Sequence, residues 1–145
     1  MGNVSDHDEI RGLVASYCQC CDDGRFEEFA QLFAPDAQFA VMGKVHEGRE
    51  AIVGFMGAAM TPERRGKHLT SNTLIDLDAD NAEATALTDY MFVARRSEGG
   101  FAITSVGRYH DRVVRSPDGG WQFARREIVF MGDVPSDAGA QPLAG

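Results

Sequence analysis

The chain has 145 residues, 43% of them hydrophobic and 25% charged, with a net charge of −8. That length supports one core with room for a pocket but not two, and the composition is that of a globular chain, not a disordered one. The acidic balance repels phosphate backbones, the pairs Arg64-Arg65, Arg95-Arg96 and Arg125-Arg126 are scattered, and no apolar run approaches the roughly 18 residues of a membrane span, so neither nucleic acid nor membrane is expected as a partner.

The N-terminal stretch Met1 to Ile10 lacks the basic and then apolar segments of a secretory leader, which sets the expectation of a cytoplasmic protein. Ser5 with Asp8 three residues later resembles a capping box, and Ile10, Leu13, Val14, Tyr17, Cys18 and Cys21 follow at helical spacing on one apolar stripe. Asp22, Asp23 and Gly24 close that helix at a tight corner. A second, short helix is expected from Arg25, with Phe26, Phe29, Ala30 and Phe33 on one face and Pro35 ending it. Cys18, Cys20 and Cys21 are an odd number in a single cluster, read as reduced core thiols and not as a disulfide framework or zinc knuckle; helical geometry groups Cys18 with Cys21 and turns Cys20 away.

Apolar residues alternate from Ala37 to Val41, and a short strand around Val45 pairs back after Gly43. A third helix runs from Gly48 through Ala51, Ile52, Phe55, Met56 and Ala59 until Thr61-Pro62 breaks it. Four β-type runs follow, His68 to Leu77, Ala82 to Arg96, Phe101 to Arg115 and Trp121 to Met131, separated by turn sequences and so expected as an antiparallel meander. Helices first and a curled sheet afterwards give an α+β fold over residues 1–131. Residues 132–145, rich in Gly, Pro, Ala and Asp, read as a tail that is either disordered or laid on a partner subunit.

Five pieces of text in this order, Tyr17 with Asp22, Phe26 through Phe29, Leu32 and Phe33 to Asp36, Gly48-Arg49-Glu50-Ala51-Ile52, His68 with Asn72, and Gly107-Arg108-Tyr109 with Asp111, resemble the SnoaL-like, nuclear transport factor 2-like family. The resemblance implies a cone-shaped α+β barrel, three helices packed on a strongly curved, mostly antiparallel sheet. Within the family the chain is most similar to the branch of scytalone dehydratase, bile-acid 7α-dehydratase and hexachlorocyclohexane dehydrochlorinase. The branch shares an Asp ending the first helix and a His opening a long strand, here Asp22 and His68, with Tyr17 and Arg126 also matched.

That branch carries out eliminations, in which a proton leaves one carbon and hydroxide or halide its neighbour. A neutral imidazole at His68 suits the role of base, with Asp22 fixing its tautomer. Tyr17 is a candidate donor to a substrate carbonyl or departing hydroxyl, and Arg126 a candidate holder of a polar leaving group. Asn72 shares strand parity with His68 and is expected to face the same interior. Phe39, Phe55 and Met91 are candidate walls for a flat apolar ligand. Each has a plainer alternative: a turn aspartate at Asp22, a solvated strand-start histidine at His68, a core tyrosine at Tyr17, a surface pair of Arg126 with Glu127, ordinary core for the Phe and Met residues. Asp111 is expected to pair with Arg108 or with a neighbouring strand.

No phosphate loop or ligand triad is present, so no cofactor or metal is expected. The combined expectation is a cofactor-independent lyase or isomerase acting on a small apolar cyclic substrate, as a homodimer through the outer sheet face. A non-catalytic binding module and the small subunit of an aromatic-ring dioxygenase are the alternatives.

Overall fold

In a computed structural model, which describes residues 4–136, the order is α1 (Asp6–Asp23), α2 (Phe26–Gln31), β1 (Phe33–Val41), β2 (Lys44–Glu47), α3 (Gly48–Ala59), β3 (Lys67–Leu77), β4 (Glu83–Arg95), β5 (Phe101–Arg115) and β6 (Trp121–Phe130). Ser5 caps α1: its Oγ accepts the Asp8 N–H at 3.2 Å and donates to the Asp8 carboxylate at 2.9 Å, while Asp6, Asp8 and Glu9 place negative charge in the first turn.

One curved six-stranded sheet runs in the order β2-β1-β6-β5-β4-β3. The meander from β3 to β6 is antiparallel as expected, and β1 joins it by pairing parallel to β6. The three helices cover one face, with α1 against β3 and β6 and α3 against β1 and β2. Between helices and sheet lies an aromatic core in which Tyr17 meets Phe29, Phe33, Tyr109 and Phe123 at ring-centroid distances of 5.3, 6.4, 5.6 and 6.0 Å. Such tilted and edge-on contacts suit the ring quadrupoles.

Two local expectations are corrected. Phe33 and Pro35 belong to β1, not to the second helix, which ends at Gln31. Phe33 pairs with Phe123 of β6, and the Phe123 N–H donates to Leu32 O at 2.8 Å, so the sheet captures this segment before a further helical turn forms. Pro35, which has no N–H for a ladder, falls in the stretch where the β1–β6 register shifts between Phe33 and Gln38. Cys20 is buried along with Cys18 and Cys21; it lies near Arg25 and Glu28, so the α1–α2 corner covers the helix face that the amphipathic pattern leaves open. All three thiols are free.

Candidate active site

The last turn of α1 carries Asp22 beneath the first residues of β3. Oδ1 of Asp22 lies 2.6 Å from Nδ1 of His68, and its two oxygens accept the His68 backbone N–H at 3.2 and 3.1 Å. The side chains are 4% and 7% exposed. A carboxylate in this position accepts, so Nδ1 is the ring nitrogen that donates to it and Nε2 is the one turned away from it. The hydrogen bonds of His68 among the described residues run through its backbone N–H and Nδ1, and none through Nε2. The imidazole packs on Phe92, centroids 4.6 Å apart, and lies edge-on to Tyr17 at 6.3 Å.

Tyr17 is fully buried, and its hydroxyl has no hydrogen-bond partner among the described residues. Burial, reinforced by the neighbouring Cys21 thiol, pushes its pKa well above the ordinary 10, which keeps the phenol a neutral donor.

Arg126 is buried too, but it does not pair with Glu127. Its Nε and Nη2 donate to Oδ1 and Oδ2 of Asp111, each at 2.7 Å, and its Cζ sits 4.2, 4.0 and 4.2 Å from the ring centroids of Tyr17, Tyr109 and Phe123. Burial disfavours this cation, yet Asp111 outweighs that cost and holds the guanidinium charged. Nη1 of the fork has no partner among the described residues. Arg108 instead donates to Asp89 at 2.6 Å, and Glu127 accepts from the Ser136 N–H and hydroxyl at 2.9 and 2.6 Å. Of the two partners expected for Asp111, the neighbouring strand supplies the one observed: Asp111 and Arg126 are direct cross-strand partners on β5 and β6, although the sequence does not single out Arg126 for it.

Asn72 does not share the face of His68. The β3–β4 register shifts between Ser71 and Leu74, and Asn72 adopts a left-handed φ of 54°, so strand parity inverts there. Past the irregularity Thr73 meets the buried Thr88 at 3.2 Å, while Asn72 donates to Asp89 at 3.2 Å on the outer face. Met91 is on that outer face as well, level with Leu69 and Val106 on the adjoining strands. A groove of about 720 Å³ opens here, lined by Leu69, Asn72, Met91, Val106, His110 and Pro135 among others, but by none of Tyr17, Asp22, His68 or Arg126. Phe39 and Phe55 stay on the helix-covered side, 5.9 Å apart, with Phe39 stacked 6.4 Å from Tyr17.

The structure thus brings Tyr17, Asp22, His68, Arg126, Phe39 and Phe55 to one side of the sheet and Asn72 and Met91 to the other. No helix among the described residues is long and apolar enough to cross a membrane.

Three helices over one face of a curved sheet, enclosing an aspartate–histidine pair, define a cone-shaped α+β domain of the nuclear transport factor 2-like class. A family profile described as the SnoaL-like domain matches residues 2–127, and the chain belongs to that family. Among solved structures it is similar to Rv3472 of Mycobacterium tuberculosis, a protein of unknown function, at 30% identity and a TM-score of 0.77, covering 84% of this chain and 69% of the other. It is also similar to a Novosphingobium aromaticivorans protein assigned as a scytalone dehydratase, at 28% identity and a TM-score of 0.75, covering 97% of this chain and 94% of the other. Among curated proteins it is 27% identical to the anthranilate 1,2-dioxygenase small subunit of Burkholderia cepacia, over 83% of this chain and 84% of that one.

Proposed function

We propose that the chain is a cofactor-independent lyase or isomerase acting on a small apolar cyclic substrate, with His68 as general base and Asp22 as its orienter. The observation that carries this reading is the buried imidazole whose Nδ1 is tied to a carboxylate at 2.6 Å while no hydrogen bond among the described residues engages Nε2. Nε2 takes a proton from a substrate carbon, and the C–H electron pair becomes either a double bond as a hydroxyl departs or a delocalised enolate. In a dehydration the imidazolium returns that proton to the departing hydroxyl, which leaves as water. In an isomerisation it returns it to a different carbon.

The unpaired donors Tyr17 Oη and Arg126 Nη1 are suited to the polar end of the substrate, with Phe39 and Phe55 supplying apolar surface. Arg126 is already neutralised by Asp111, so a neutral hydroxyl or carbonyl oxygen suits it better than a free anion. The similarity to a protein assigned as a scytalone dehydratase supports a dehydration. Free buried thiols fit a reducing, cytoplasmic setting.

The test is incubation in D₂O with a panel of cyclic β-hydroxyketones and enones, followed by NMR. Wild-type protein is expected to eliminate water from, or exchange deuterium into, at least one of them, and His68→Ala to lose at least about 100-fold of that rate. Equal rates in the two proteins, or no reaction across the panel, would rule the reading out. A second reading rests on the 27% identity to a dioxygenase small subunit: an assembly subunit whose Asp22–His68 pair is structural. It predicts no exchange and co-purification with a larger, iron-containing chain.

A further inference from the structure

The Asp22–His68 contact depends on how the chain between α3 and β3 is delivered to the end of α1, and one side chain in that connection is placed to control it. The last turn of α1 contains no basic residue, yet it holds Asp22, Asp23 and the negative end of the helix dipole. Arg25, just past the helix, pairs with Asp23 at 3.4 Å, and a second guanidinium arrives from further along the chain. The guanidinium of Arg65 lies against Gly24, the left-handed residue that closes α1 at φ 69°: a Cβ on Gly24 would collide with Arg65 Cζ and Nη2. Arg65 is also bound to the end of α3, since its Nε donates to Met60 O at 3.2 Å and its backbone N–H to Thr61 O at 3.1 Å.

The next residue completes the attachment. A Cβ on Gly66 would strike Val93 O and reach within 2.9 Å of Phe92 Cζ, so only glycine lets the chain lie this close to β4, and Phe92 is the ring that backs the His68 imidazole. Two residues further on, the His68 N–H meets both oxygens of Asp22. The connection is therefore fastened to α3, α1 and β4 immediately before the histidine.

We propose that Arg65 is the positioning residue of the Asp22–His68 pair: its planar guanidinium, seated on Gly24, sets the distance between the end of α1 and the start of β3 at which one carboxylate receives both the backbone N–H and Nδ1–H of His68. Its catalytic meaning rests on His68 being the base, but the geometrical statement does not. A lysine keeps the charge near the helix end but has no planar fork to lie on a glycine and reach a carbonyl at once.

The test reads His68 directly, by NMR of the full chain, through exchange of its backbone amide and the resonance of its Nδ1 proton. Arg65→Ala is expected to speed exchange of the His68 amide at least about tenfold and to broaden or abolish the Nδ1 signal, while Tyr109 and Asp111 in the central strands keep their protection. An unchanged His68 signal overturns the proposal, and so does an equal acceleration at all amides, which is general destabilisation. Complete rescue by Arg65→Lys also overturns it, because charge without the planar seat would then suffice. Should Arg65→Ala fail to fold, Arg65→Met, which keeps the length and apolar bulk of the side chain without the guanidinium, is read by the same two signals with the same outcomes. A local effect at His68 in a protein that never shows exchange chemistry would sink the enzyme reading and leave the positioning role standing.

Discussion

Arg126 is the largest fully buried side chain of the described residues, and its only hydrogen-bonding partner is Asp111. Replacing it with Met leaves a carboxylate among aromatic rings with nothing to neutralise it, so Arg126→Met is expected to cost about 3–5 kcal/mol by urea denaturation. The double variant Asp111→Leu with Arg126→Met should recover most of that loss, since the pair's attraction is largely offset by its desolvation. If the double variant is no more stable than the single one, the buried pair contributes more than its neutralisation. At this scale the sequence was legible unevenly. Asp22 and His68 are matched through the family resemblance, as the Asp ending the first helix and the His opening a long strand. Arg126 reads as a candidate for the polar end of a ligand, with a surface pair to Glu127 as the alternative, and its burial against Asp111 is in neither reading because a single sequence shows neighbours along the chain and not the partner across the strand.

The β3 strand shows what one irregular residue does to an element. Alternation from His68 would bring Asn72 to the core side, but the left-handed Asn72 consumes a position without completing a pleat, and from Thr73 onward the odd-numbered residues face the core. A Gly or Asn tolerates φ 54° and a β-branched residue does not. Asn72→Val is therefore expected to destabilise by about 1–3 kcal/mol, in thermal or urea unfolding, while leaving the chemistry of His68 within about twofold of wild type. A large loss of activity at unchanged stability would place Asn72 with the dyad after all. The misassignment of Phe33 to a helix has a similar origin: its burial was apparent from the Phe26-Phe29-Phe33 pattern, but parallel pairing to β6, about ninety residues away, is long-range information.

For the whole molecule, element order and class were legible because turn residues separate every strand and each helix has a clear apolar stripe. The closing of the sheet by β1 beside β6 was not, since no local pattern encodes which strands become neighbours. The outer sheet face presents Leu69, Met91, Phe101, Ile103 and Val106 to solvent on adjacent strands, an apolar surface that a homodimer would cover. Leu69→Asp with Ile103→Asp is expected to convert a dimer to a monomer in light scattering without loss of helical or sheet signal. Because each chain carries −8, the wild-type dimer should tighten as salt rises from low ionic strength. A wild-type protein that is monomeric at every concentration and salt tested would refute the interface.

The double attachment of His68 to one carboxylate has a stereochemical consequence. A ring held at its backbone and at Nδ1 cannot turn over without giving up a contact, so its basic nitrogen always looks in the same direction. If His68 is the base, then of two hydrogens on a prochiral carbon presented in one orientation the same one is removed each time, and a substrate labelled with deuterium at that position alone would carry the full isotope effect of the C–H cleavage.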